Sequence, residues 1–217
     1  MNLPLVDPFT PSFSSAAGDV ATAAEAAVYV ARHEVDNHNK LRNHIEAVLK
    51  GCAARKAWRS SMPSKTPVAI ATYQKNLRKC DLDATSAEID AIGHLLSDGQ
   101  FLFHGGLWSF GRTAVTSRPL STSLCPVVAF QNALHSAKAY DAGQLDIMVL
   151  KVTDPQTKAF VFKPKGTSLG HEFEVLFASG ANLTFKSRAP IRSDFLAVKY
   201  DHPDKHITVN VIEAELS

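Results

Sequence analysis

The sequence predicts an α+β fold, with a helical region over residues 15–98 and a strand-rich core over residues 99–217. Three observations predict it. Apolar residues recur at helical spacing through the first hundred positions, β-branched and aromatic runs of strand length crowd the second half, and one helical pattern interrupts those runs. Strands in such excess argue for an antiparallel or mixed sheet and against a βαβ array. At 217 residues the chain can bury a full core as one domain, or as a small domain with a helical companion.

In chain order, residues 1–14 carry three prolines and several serines without periodicity, and read as a loose arm. Val20, Ala24, Ala27, Val28 and Ala31 fall on one helical stripe, as do Leu41, Ile45, Val48, Leu49 and Cys52. Thr85-Ser86-Ala87-Glu88 has the form of a capping box, in which hydroxyl and carboxylate satisfy each other's end N–H groups. The helix it announces turns Ile89, Ile92 and Leu96 inward and stops at Asp98-Gly99, where glycine suits a left-handed end. Strands are expected at 101–104, 146–152, 159–162, 173–177, 183–185, 195–200 and 206–216. The interrupting helix starts at Pro126, carries Val127, Phe130 and Leu134 inward, and ends before Gly143. Asp201-His202-Pro203-Asp204 reads as a hairpin connection.

Composition excludes several classes. Hydrophobic residues make up 45% and charged residues 20%, the balance of a folded soluble protein. The net charge of +2 is too small to define a partner by itself. Cys52, Cys80 and Cys125 lie too far apart for a disulfide framework or a four-cysteine zinc site. His33 and His38 are five positions apart, one too many for the zinc-protease helix pattern, so no metal is expected. No apolar run approaches the roughly 20 residues that span a bilayer, and the first residues lack the form of a secretory signal. The expectation is a reduced, intracellular protein with no membrane partner.

Three segments carry chemistry. In Gly170-His171-Glu172-Phe173-Glu174, alternation puts Glu172 and Glu174 on one face of an otherwise apolar strand. Carboxylates there face water or a ligand, since burying them unpaired is costly. Such a pair suits a reaction through an oxocarbenium-like centre; a strand start at an exposed sheet edge accounts for the two residues as well. Ser121-Thr122-Ser123 places two hydroxyls on one face of an extended stretch, or caps the helix that follows. Phe101-Leu102-Phe103-His104-Gly105-Gly106 is a strand ending in histidine and two glycines, where a ligand can approach the backbone. A packed polar histidine is the plainer alternative for His104.

The order and spacing of these three segments resemble the mono-ADP-ribosyltransferases of the Arg–Ser–Glu class. The resemblance covers residues 99–217. It implies a two-sheet core, NAD as co-substrate and a protein as acceptor. By that resemblance Glu174 stabilises the oxocarbenium-like state, Glu172 orients or deprotonates an arginine acceptor, and Ser121 holds Glu174 and the ribose. The resemblance assigns NAD contacts to His104, Gly105, Ser121, Thr122 and Ser123. The family's first-motif arginine is His104 here, which removes a permanent cation able to grip phosphate. Arg112 or Arg118 could restore the charge, or His104 could act as the His-Gly step does in the related poly-ADP-ribose polymerases. The segment 163–170 would then be the target-recognition loop, although a solvated turn explains it too. The implied setting is a bacteriophage or bacterial effector acting inside a cell. An NAD glycohydrolase and an inactive binding module of the same fold are the alternatives.

Residues 40–80 hold ten Lys/Arg against one acid, Glu46. That asymmetry suits an acidic protein target or a solvated helix face. Only Trp58 and Tyr73 interleave, which argues against single-stranded nucleic acid.

Overall fold

A computed structural model describes residues 2–33, 35–109, 111–163 and 173–217. A hairpin of β1 (Phe13–Ser15) and β2 (Gly18–Val20) leads into α1 (Ala23–Arg32), α2 (Val35–Gly51), α3 (Ala53–Ser61), α4 (Val68–Lys75) and α5 (Leu82–Ile92). There follow β3 (Phe101–Gly106), β4 (Thr113–Val115), β5 (Leu120–Ser123), α6 (Pro126–Leu134), α7 (Lys138–Ala142) and β6 (Gln144–Val152). The chain ends with β7 (Ala159–Val161), β8 (Glu174–Phe177), β9 (Asn182–Ala197) and β10 (Lys205–Leu216). This is the expected α+β fold, helices first and a mixed sheet after them.

The sheet order is β4-β9-β10-β6-β3-β5-β8-β7, with β6 parallel to β10 and antiparallel to β3. The expected two-sheet layout takes the form of one continuous ladder pinched at its middle. β3 and β5 share a single register pair, Phe103 opposite Ser123. Past it the strands part, and His104 bridges the gap by a side-chain bond instead of the ladder.

Packing fixes α6 against β3. A Cβ on Gly105 would overlap the backbone carbonyl of Ala129, so only glycine lets the helix lie this close. On α6 itself, Pro126, Val127, Val128 and Phe130 are buried. Asp146, fully buried beside the end of β3, accepts from Trp108 N–H (2.8 Å), Asn210 Nδ2 (2.8 Å) and Arg188 (3.1 Å). A buried charge so satisfied anchors the turn after His104-Gly105-Gly106.

Four local expectations are corrected. Residues 1–14 are not a loose arm where described: Leu3, Val6, Phe9 and Phe13 are buried. The Gln100 side chain holds both the N–H and the C=O of Val6, at 2.8 and 2.9 Å, and Trp58 Nε1–H donates to Pro4 C=O. Apolar residues without periodicity still pack when each meets its own pocket. Val20 lies in β2 and not on the first helical stripe.

α5 starts a turn before the expected box, where Asp81 Oδ1 accepts from Ala84 N–H. Thr85 and Ser86 lie inside it, and Glu88 reaches instead to Ile70 N–H at 3.0 Å. It ends at Gly93 rather than at Asp98-Gly99: Gly93 is extended and leads His94 into a bridge with Ala159, and a Cβ on it would meet the carbonyls of Ile89 and Ala159. Finally, the strand expected at 183–185 and the first three residues of the one expected at 195–200 belong to the 16-residue β9, while 198–200 lie beyond its end. Its pairing with β4 is confined to residues 182–184, so Pro190 and the charges around it are tolerated along an edge.

Candidate active site

Glu174 opens β8, and the backbone there is set up to present it. Phe173, just before it, has φ 52°, in the left-handed region that an aromatic residue seldom occupies. The cost, of order 1–2 kcal/mol, is offset by the contacts on either side. The Phe173 carbonyl accepts from Leu124 N–H at 3.3 Å, the Glu174 carbonyl accepts from Phe162 N–H at 3.2 Å, and the Phe173 ring is buried. Strain of this kind beside a buried acid marks a position that the surrounding structure holds for a purpose.

Glu174 is only 7% exposed. Ser121 Oγ–H donates to its Oε1 at 2.7 Å, and Gln74 Nε2–H donates to its Oε2 at 3.0 Å. Ser121 comes from β5, paired with β8 so that Ser121 faces Leu176 and Ser123 faces Glu174 in register. Its carbonyl accepts from His104 Nδ1 at 2.7 Å. A carbonyl can only accept, so the neutral His104 ring carries its proton on Nδ1 and keeps Nε2 as an acceptor. Burial pulls the His104 pKa down; the Ser121 carbonyl pulls it up, and Lys138 and Arg118 pull it down further. Nε2 lies toward Gly106, where an added Cβ would stand 3.4 Å away, so the missing side chain leaves that nitrogen open to approach.

The three segments therefore meet: His104, Ser121 and Glu174 form one hydrogen-bonded chain. The other two Ser-Thr-Ser hydroxyls also make bonds within the protein. Thr122 Oγ1–H donates to Val175 C=O at 2.7 Å, and Ser123 Oγ accepts from Cys125 N–H at 3.0 Å at the entry to α6. Gly105 is spent on the α6 contact. Arg112 is exposed beside β9, where its carbonyl accepts from Phe185 N–H, and it is not among the charges that bear on His104 or Tyr73; Arg118 is. Glu172 and the expected recognition loop, beyond Lys163, lie outside the described residues.

Two contributors come from the helical region. Gln74 is one. The other is Arg55 on α3, 5% exposed, whose guanidinium sits 4.8 Å from the centroid of the Phe173 ring. Burial, and then repulsion from Arg59, push its pKa down to about 10, so it stays charged at neutral pH. Among the described residues no carboxylate lies within salt-bridge distance of it, and Arg59 Nε is buried without a hydrogen-bond partner. Arg55 thus leaves the surface patch that the charge run suggested, whereas Lys40, Lys50, Lys56, Lys65, Lys75, Arg78 and Lys79 are exposed. Tyr73, next to Gln74, donates to Pro119 C=O at 3.2 Å. Burial, then the Glu174 charge, push its hydroxyl up to about 12.

A cavity of about 560 Å³ lies elsewhere, between the N-terminal segment and the sheet, lined by Leu5, Phe9, Ala23, Phe101, Val149 and Lys151 among others. None of His104, Ser121 and Glu174 borders it. Its volume alone supplies no chemistry, so the hydrogen-bonded chain is the stronger candidate. Among the described residues no cluster of His, Cys, Asp and Glu could hold a metal ion, and no helix is long and apolar enough to cross a membrane.

No protein-family model and no curated protein matches the sequence. Solved structures do resemble the chain. An ADP-ribosyltransferase from Clostridium botulinum is 12% identical, with 86% of this chain and 97% of that one covered at a TM-score of 0.47. The Vis toxin, an ADP-ribosyltransferase from Vibrio splendidus, is 12% identical over 85% and 87%, at 0.41. A protein from S. aureus, solved with NAD, is 13% identical over 85% and 96%, also at 0.41. The likeness is one of layout, helices followed by a mixed sheet, and no residue's role follows from it.

Proposed function

We propose that the protein cleaves NAD between nicotinamide and ribose and transfers the ADP-ribose to a protein side chain, arginine by the resemblance at Glu172 and Glu174. The observation that carries this reading is the buried Glu174 carboxylate held by the Ser121 hydroxyl, with His104 donating to the backbone carbonyl of that same serine, at the point where β3 and β5 part.

In this reading the C1′–N bond breaks and nicotinamide leaves neutral, taking the bonding electron pair. Positive charge develops over C1′ and the ring oxygen of the ribose. The Glu174 carboxylate accepts from a ribose hydroxyl and stabilises that charge; a fixed anion in a poorly hydrated site acts strongly because it need not reorganise. Ser121 keeps the carboxylate from rotating away. His104 Nε2 accepts from a ribose hydroxyl or from the carboxamide. The positive charge that the family draws from its first arginine comes instead from Arg55 and Arg118; among the described residues no carboxylate is within salt-bridge distance of Arg55, and Glu46 acts on it only through space. An acceptor nitrogen then attacks C1′ and gives up its proton, the role the resemblance implies for Glu172. The exposed lysines and arginines of residues 40–80 favour a target with an acidic face.

Labelled NAD with a protein mixture tests the reading. The wild type should release nicotinamide and label a protein, and Glu174→Gln should do neither. Release without labelling would make the enzyme a glycohydrolase. No release by the wild type would contradict the proposal.

A further inference from the structure

Gln74 stands one hundred positions before Glu174, yet its amide lies 3.0 Å from Glu174 Oε2. A carboxylate only accepts, so the contacting group is the Nε2–H donor. With Ser121 on Oε1, donors from two separate elements grip the acid. The helix that delivers Gln74 is tied down at both ends. At its start Glu88 on α5 accepts from Ile70 N–H, and Ile70 is fully buried. Near its end the Tyr73 hydroxyl bonds Pro119, immediately before β5. A glutamine carried on such a helix has a defined place relative to the acid.

Building on the proposed NAD cleavage, we propose that Gln74 is a positioning residue for Glu174: it keeps the carboxylate ionised and aimed, so that α4 supplies part of the electrostatics of the site. Hydrogen bonds to the charged form favour that form. Among the described residues, the titratable or charged groups that bear on this site keep constant charge near neutral pH. Tyr73 on α4 stays protonated, the lowered His104 on β3 is neutral, and Arg55 on α3 and Arg118 before β5 are cationic.

The test follows the Glu174 carboxyl by ¹³C NMR titration of the full-length chain, assigned with Glu174→Gln, in the wild type, Gln74→Met and Gln74→Glu. Both replacements keep the length of the side chain. Met removes the donor, and Glu also adds a like charge. The Glu174 pKa should rise by about one unit in Gln74→Met and further in Gln74→Glu, where two carboxylates share a proton. The acid limb of kcat for nicotinamide release should move with it. Coincident titrations in the wild type and Gln74→Met would reduce the contact to packing and overturn the proposal, whatever the turnover. A Glu174→Gln variant that still releases nicotinamide would sink the NAD-cleavage reading and the positioning role with it. An inactive Glu174→Gln beside a titration unmoved in Gln74→Met would sink the positioning role alone.

Discussion

Ser121→Ala removes one oxygen from the centre of the site and leaves its scaffold in place. The Ser121 carbonyl still accepts from His104, the strand still pairs with β8, and Thr122 still bonds Val175. What disappears is a 2.7 Å bond to the carboxylate of a residue that is 7% exposed, where water cannot readily take over. A hydrogen bond to a charged group contributes about 1.5–3 kcal/mol, which at about 1.4 kcal/mol per decade is roughly a 10- to 150-fold loss in kcat/KM. The sign of the pH effect is fixed too. Losing a donor raises the Glu174 pKa, so the acid limb of the rate profile moves to higher pH and part of the loss is regained there. Nicotinamide release across a pH series measures both effects. Wild-type kcat/KM with an unmoved acid limb would refute the reasoning, because the bond would then do nothing for the reaction.

Gly105→Ala places a methyl group on the Ala129 carbonyl; urea unfolding should show a loss of about 3 kcal/mol, the upper range for overpacking, and a neutral result would contradict the close α6 contact. Asp146→Ala leaves the buried Asn210 amide and Trp108 N–H without their shared acceptor, and should cost about 1–3 kcal/mol for each by the same measurement, while the part-exposed Arg188 turns to water. His104 gives stability a pH dependence. Its folded pKa lies below the unfolded value, so as pH falls below about 6.5 the unfolded chain binds a proton that the folded one refuses. Stability is therefore lost toward acid, with a slope of up to about 1.4 kcal/mol per pH unit. His104→Asn, which keeps a donor for Ser121, should flatten that part of the profile; an unchanged slope would remove His104 as its source.

How much of this was legible in the sequence depends on where each signal lies. His104, Ser121 and Glu174 each sit in a strand-like run, where alternation and turn residues fix which way a side chain points. Their meeting depends on register across β3, β5 and β8, and the sequence carried it only through an order of motifs that resembles a known family. Gln74 and Arg55 left no local signal: one looks like any helical glutamine, the other like one more cation in a basic run. Their roles appear only once α3 and α4 are docked on the sheet. The same gap explains the N-terminal segment, whose anchors at Leu3 and Val6 depend on Leu95 and on the Gln100 side chain. It also explains β9, expected as two short strands although its open edge lets one strand run on through Pro190. Local chemistry could be read from the chain, and tertiary partnership could not.

The most direct measurement is a structure of the protein with an NAD analogue whose C1′ bond cannot be cleaved. The account predicts the nicotinamide ribose at hydrogen-bond distance from the Glu174 carboxylate, with the dinucleotide phosphates nearer Arg55 or Arg118 than any other cation. An analogue seated in the cavity beside Phe101 and Lys151, with Glu174 still held only by protein groups, would contradict it.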